Sequence, residues 1–353
     1  MGFTEWSISV RIPINYLTFC ITIPSMALYI AEIVTIVRHK KFHNSFYALF
    51  VMRAIADCLY VLSSFYSYRV PSIIGAVLYP IYSQFPNWML AMSFFLGGHT
   101  HQTNNLVTAF ILFNRLTAII MPIKHEKIWQ KFLPFITIFV CGGPTLLCWQ
   151  VFKMDATIQL LNPNSTTDRN FVINEAGDAT YTSYLTYISA IFTVIFTILC
   201  VLINIGIFVA YKLHMKKVGV NCGNDEASLI ERKLVIYALA TFLGHILVAS
   251  LILQLFIGGS SDDAKIKAIL YIYYPLIMDT GTVVLSSWLL LWASGTFRQQ
   301  LIKYFAIIRK TNIQNNRVHA MAGPRNNNHR PIGGQLQTRF SSSVQQLPTR
   351  EFC

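Results

Sequence analysis

Seven long apolar stretches alternate with short polar ones along the chain, at about 12–37, 46–68, 89–114, 132–152, 184–211, 234–256 and 268–291. Each reaches or approaches the roughly 20 residues a helix needs to cross a bilayer. The pattern predicts an all-α membrane protein, a bundle of seven transmembrane helices. Polar residues interrupt the second and third stretches, and the fourth is only just long enough. The first is too long for the apolar part of a signal peptide and lacks a small-residue cleavage site, so it is expected to stay as the first helix. There is no internal repeat and no pair of matched halves of the kind many transporters show.

The third stretch breaks the pattern most sharply. Residues 97–105 read GGHTHQTNN in the middle of an apolar run. At 100° per residue, the seven polar side chains from His99 to Asn105 point all around the helix and leave no apolar stripe for lipid. Unsatisfied polar groups in hydrocarbon cost several kcal/mol each, so this helix is expected at the centre of the bundle. Two readings of the run stand side by side: interhelical hydrogen bonding, and the wall of a ligand cavity. For the cavity, His99, Gln102 and Asn105 are the candidates, at one-turn spacings along a broad face, with Tyr184 and Tyr187 behind them. His99 and His101 are about 200° apart on the helix and cannot readily share one ion. No metal and no cofactor is expected.

Four charged residues also fall inside apolar stretches: Glu32, Arg53, Asp57 and Asp279. Such residues are costly in a membrane and are usually paired or functional. Glu32 and Arg53 lie at similar depths on adjacent antiparallel helices, Asp57 is one turn beyond Arg53, and Asp279 reaches about the same level from the other side. The expectation is one polar network, either a structural set of ion pairs or an element that rearranges on activation.

Composition agrees with a lipid environment: 54% of residues are hydrophobic and 12% charged, where a soluble domain carries about a quarter charged. Charge also orients the bundle. Of 28 lysines and arginines, 21 fall on one side, six, including Arg11 and Arg69, on the other, and Arg53 lies within a helix. The positive-inside rule then puts the N-terminus outside and the C-terminal tail in the cytosol. The expected organisation is a short extracellular segment 1–11, the bundle 12–294, an amphipathic interfacial helix 295–310 and a disordered tail 311–353. The net charge of +13 is then an attraction to the inner leaflet, so membrane lipids are expected partners and nucleic acid is not. The single N-x-[ST] sequon, at Asn164, falls in the longest outside loop and is expected to carry a glycan. None of the seven cysteines lies in an outside loop, so no disulfide staples the exterior.

The inner end of the third stretch reads FILFNRLTAIIMPIKHEKIW, residues 110–129. It resembles the acid-Arg-Tyr region of rhodopsin-like G-protein-coupled receptors, with Asn114-Arg115-Leu116 in place of the triplet and Pro122 a few residues on. It is still more similar to nematode serpentine chemoreceptors of the class gamma and class V kind, in which Asn-Arg-Leu-Thr, a proline and a Glu-Lys-x-Trp close are typical. FYALFVMRAIADCLYVL, with Asp57, and the segment around Asp279 extend the similarity over about 10–300. The chain departs from rhodopsin-like receptors in four ways. It has no acid beside Arg115, no Asn-Pro-x-x-Tyr in the seventh stretch, no proline in the sixth, and no cysteine pair tying the third helix to the outside.

The resemblance implies a receptor with no enzymatic activity. A small molecule of the odorant or pheromone class would bind within the bundle, and a heterotrimeric G protein would couple at the cytosolic face through Asn114, Arg115, Lys124, Lys127, Lys216 and Lys217. It further implies the plasma membrane of a sensory neuron, at the cilium. A trafficking helper is an expected partner because the N-terminal segment is short and the exterior unstapled. The competing reading is a ligand-gated channel or transporter that uses Glu32, Asp57 and Asp279 as an ion path. A retinal protein is disfavoured, since 268–291 contains no lysine.

Overall fold

The computed structural model describes residues 3–161, 169–218, 225–259, 264–295 and 297–303. Seven helical passages form the bundle. The first is α1 (Phe3–Arg38). The second is α2 (Ser45–Ser64) continued through a π-helical turn, Phe65–Arg69, into α3 (Val70–Tyr82). The third, fourth, fifth and sixth are α4 (Asn87–Ile120), α5 (His125–Cys148), α6 (Thr180–Val218) and α7 (Asp225–Gly259). The seventh is α8 (Ala264–Asp279), a second π-helical turn at Thr280–Val284, and α9 (Leu285–Ala293).

Six of the passages are long and apolar enough to cross a membrane. The exception is α4, which has 34 residues but carries the polar run. As expected for a central helix, α4 buries that run: Thr100, His101, Gln102, Thr103, Asn105 and Thr108 are all shielded. The outward faces of α5 and α6, in contrast, expose large apolar side chains such as Phe135, Ile138, Leu202 and Phe208, as lipid requires.

The helices overrun the apolar stretches at several ends. α1 is already helical at Phe3, inside the segment 1–11 assigned above to a separate N-terminus. The second passage continues to Tyr82, so Arg69, counted above on the less basic side just past the apolar stretch 46–68, lies inside the bundle with no exposed surface. Between the sixth and seventh passages the backbones meet at glycine. A Cβ on Gly244 would fall 2.7 Å from the Gly281 carbonyl oxygen, and one on Gly281 would fall 2.9 Å from that of Gly244.

The long connection between α5 and α6 is not simply irregular. β1 (Ala156–Leu160) pairs antiparallel with β2 (Phe171–Glu175), with Ile158 opposite Ile173. Asn87 at the start of α4 clamps β1, donating to the Met154 carbonyl at 2.7 Å and accepting from Ala156 N at 2.8 Å. Phe171 is fully buried against Tyr79 and Tyr82. Glu175 closes the hairpin onto α6 by accepting from Tyr181 N and Thr182 N, a carboxylate at a helix N-terminus. The hairpin is therefore held to one end of the bundle without a disulfide. Asn164 lies outside the described residues, as do 304–353, which hold the second half of the predicted interfacial helix and the tail. Residues 297–303 are helical, with Phe297 and Leu301 buried.

Candidate functional site

At the lysine- and arginine-rich end, α4 and the start of α5 interlock through side chains three positions apart on each helix. Asn114 Nδ2 donates to Ser45 Oγ at 2.9 Å, and Ser45 Oγ donates to Glu126 Oε2 at 2.8 Å. Ser45 N also donates to Glu126 Oε1 at 2.9 Å. Glu126 thus satisfies the exposed N-terminus of α2 together with Asn44, whose side chain accepts from Tyr47 N. One turn along, Trp129 Nε1 donates to Thr117 Oγ1 at 2.8 Å, and His125 Nδ1 meets the same hydroxyl at 3.1 Å. Thr117 therefore holds Trp129 directly, and Asn114 reaches Glu126 through Ser45 of α2. The NRLT and EKIW segments are two halves of one clamp.

Arg115 lies between them in sequence and points the other way. Its guanidinium carbon sits 3.5 Å from the centroid of the Phe46 ring, a close cation–π contact. Tyr47 and Tyr237 are within electrostatic reach. Arg115 Nε is buried without a hydrogen bond, and among the described residues Arg115 meets no carboxylate. An aromatic ring thus occupies the place of the acid that the sequence lacks. Lys124 and Lys127 are exposed beside the clamp. The side chains of Lys216 and Lys217 lie outside the described residues.

The charged residues of the bundle divide into separate groups, in contrast to the single network expected. Asp57 accepts from Asn104 Nδ2 at 2.7 Å and from the Tyr29 hydroxyl at 3.1 Å, with Arg53 Nε 3.7 Å away on its own helix. Asp279 instead receives Arg69 in a two-pronged pair, at 2.7 and 2.8 Å, and the Thr22 hydroxyl as well. Glu32 does not pair with Arg53, because the arginine runs along its own helix to Asp57. Both Glu32 carboxylate oxygens are buried without a hydrogen-bond partner.

Arg69 is the residue that sequence reasoning missed. On a straight helix it would lie about 120° from Asp57. The extra residue of the π turn removes about 100° of that, bringing it to the inward face.

The polar run of α4 is distributed among three neighbours. His101 Nε2 meets Thr193 Oγ1 of α6 at 3.0 Å and Asn105 Nδ2 at 3.3 Å. Gln102 Nε2 reaches Ser189 Oγ of α6 at 3.4 Å, and its Oε1 is buried without a partner. His245 of α7 stands within electrostatic reach of His101, and its Nε2 is also buried and unpartnered. His101 and Asn105 are thus bonded to each other, Gln102 beside them turns to α6 one turn from Thr193, and His245 of α7 lies close enough to feel His101, so that these polar groups gather where α4 faces α6 and α7. His99 is not among them: it is half-buried on the α5 side and donates to the Cys141 carbonyl at 3.1 Å. Tyr184 donates to the Leu147 carbonyl at 3.3 Å, and Tyr187 is 54% exposed near Phe256. Neither tyrosine joins these groups.

A central polar helix, six lipid-compatible passages and a motif clamp at the basic end define a multi-pass membrane protein of the serpentine type, a seven-transmembrane bundle. The family model described as Srg family chemoreceptor matches residues 15–301, and the chain belongs to that family. Curated proteins to which it is similar include class gamma serpentine receptors of Caenorhabditis elegans. It is 25% identical over 118 residues to serpentine receptor class gamma-5, which is 32% of this chain and 36% of the relative. It is 27% identical over 117 residues to class gamma-9, 32% of this chain and 35% of the relative. It is 27% identical over 134 residues to class gamma-16, 36% of this chain and 40% of the relative. The chain thus aligns with little more than a third of the length of these relatives.

Proposed function

We propose that the protein is a chemosensory receptor that binds a small molecule within the bundle and couples to a heterotrimeric G protein at its basic end. The charge asymmetry supports placing that end in the cytosol, the N-terminus and Asn164 outside, and the chain in the plasma membrane of a sensory cell, at its cilium. The observation that carries the coupling role is Arg115. It is a permanent cation with five donors near the basic end of the bundle, and among the described residues it is held by an aromatic face and by no carboxylate. A cation held in this way is released when the α2–α4 interface opens, without a carboxylate first having to be protonated.

The ligand site on this reading is the His101–Gln102–Asn105–His245 cluster. Its unpartnered oxygen and nitrogen suit a small ligand with both a donor and an acceptor. The hairpin β1–β2 covers the outside end near α4, so an apolar ligand would enter between helices. The channel alternative, an ion path through Glu32, Asp57 and Asp279, loses support because Asp57 and Asp279 are each engaged by separate partners.

The test is a G-protein dissociation assay in cells expressing the chain, run beside Arg115→Ala against small volatile and water-soluble cues. Surface delivery is checked through glycosylation at Asn164. The reading requires a cue-dependent signal that disappears in Arg115→Ala at equal surface expression. A cue-gated current that persists without G proteins and survives Arg115→Ala would replace it with the channel.

A further inference from the structure

An apolar cleft of about 350 Å³ runs between the basic-end halves of α4 and α5. Phe110 and Phe113 line it from α4, Met121 from the residue just after that helix, and Ile128, Trp129 and Phe132 from α5. Its position separates it from the polar groups of α4 that face α6 and α7. The polar atoms at its back are already engaged, since Thr117 Oγ1 accepts from Trp129 and meets His125. Phe113, Ile128 and Phe132 remain substantially exposed to the surroundings of the bundle.

Two features identify an occupant. The first is length. From Phe110 to the end of α4 at Ile120 the cleft wall extends about 15 Å along the helix, close to half of a hydrocarbon core about 30 Å thick. That is the depth of one leaflet. The second is charge. Lys124 and Lys131 are exposed, and at 100° per residue both lie on the Ile128 flank of α5, beside the cleft mouth. The only acid in this segment, Glu126, is turned away and held by Ser45. Next to the mouth, Ile120, Met121 and Ile123 are exposed, Ile123 at 91%, which suits a loop resting in the headgroup region.

We infer that this cleft binds an anionic phospholipid of the leaflet at the basic end, with one acyl chain between Phe113 and Phe132 and the headgroup on Lys124 and Lys131. The lipid would fill the seam over the Thr117–Trp129 contact. It would thereby support the motif clamp from the membrane side. The assignment needs no signalling activity, only that the basic end faces a leaflet.

The full chain, reconstituted in phosphatidylcholine vesicles with a minor share of phosphatidylserine, tests it. Bromine is carried on the acyl chains of one lipid or the other, and Trp129 fluorescence is isolated by subtracting a Trp129→Phe variant. Brominated phosphatidylserine is expected to quench Trp129 more than brominated phosphatidylcholine at equal mole fraction. Lys124→Gln and Lys131→Gln should each weaken the preference about fivefold without changing the unfolding temperature. Equal quenching by the two phospholipids would overturn the inference. So would quenching by a brominated sterol alone, or no quenching of Trp129 by either phospholipid.

Discussion

Arg69 and Asp279 are separated by 210 positions in sequence and meet through two parallel hydrogen bonds of 2.7 and 2.8 Å. Each stands at the edge of a π-helical turn, Arg69 as the last residue of the first and Asp279 immediately before the second. The pair joins the second passage to the seventh, and the Thr22 hydroxyl brings in the first. π turns are rare single insertions in helices, and here two of them flank one buried contact. A buried pair broken on one side leaves an uncompensated charge. Arg69→Ala is therefore expected to cost about 3–5 kcal/mol, read as a lowered unfolding temperature of the detergent-solubilised chain. The double variant Arg69→Met with Asp279→Leu should recover most of the loss. A single variant as stable as the native chain would mean that the pair does not hold these helices together.

The clamp makes a second prediction that runs against intuition. Asn114→Asp restores the acid that precedes arginine in rhodopsin-like receptors, yet it should destabilise this chain. Asn114 donates to Ser45 Oγ, which already donates to Glu126. An aspartate at 114 cannot donate, and it would set a second carboxylate against the same hydroxyl. The expected loss is about 1–3 kcal/mol, measured by thermal unfolding. Asn114→Asp together with Glu126→Gln should relieve it.

The bundle was legible because lipid demands runs of apolar residues, and the central place of α4 was legible because GGHTHQTNN leaves no lipid face. The pairing of Asp279 was not. Apolar stretches mark where lipid begins and ends, whereas helices continue beyond them, so Arg69 looked like a loop residue. A π turn then changed its direction, and nothing in FYSYR announces one. The hairpin was equally hidden, because Phe171, Val172 and Ile173 are all buried and do not alternate as a half-exposed strand would. For the polar run, both its burial and the presence of partners were readable. Which residue met which helix was not: His99 and Gln102 are three positions apart yet turn to α5 and α6 respectively.

Gly244 and Gly281 give a prediction about packing. With each Cβ position under 3.0 Å from backbone of the facing helix, even alanine forces α7 from the seventh passage. Gly281→Ala and Gly244→Ala should each cost about 1–3 kcal/mol through overpacking. Gly142→Ala, where a Cβ meets nothing within 4 Å, should be close to neutral in the same unfolding measurement. Equal effects at all three positions would remove the close-contact explanation.

Phe46 gives a prediction about resting activity. If the ring restrains Arg115, removing it frees the cation without touching Gln102 or His245. A cation–π contact is worth about 0.5–2 kcal/mol, so Phe46→Leu should raise cue-independent G-protein dissociation about two- to thirtyfold. Phe46→Trp, with the stronger π face, should hold it at or below the native level. A Phe46→Leu receptor that reaches the surface with unchanged resting activity would show that the restraint lies elsewhere.

The polar residues His101, Gln102, Asn105 and His245 supply the last prediction, and it separates the two roles the polar run can play. If Gln102 and His245 serve only to bind helices together, replacing them disturbs stability and leaves the response to a cue in proportion to surface expression. If their unpartnered Oε1 and Nε2 meet a ligand, each group contributes a bond that forms only when the cue is present. A hydrogen bond of about 0.5–1.5 kcal/mol then corresponds to a roughly two- to tenfold loss of sensitivity. Gln102→Met and His245→Phe are accordingly expected to shift the half-maximal cue concentration upward by that factor, at unchanged resting activity and corrected for expression. His99→Phe faces α5 and should leave the half-maximal concentration where it was. A dose–response series in which His99→Phe shifts as far as Gln102→Met would move the site to the α5 side of α4 and release Gln102 to a purely structural role.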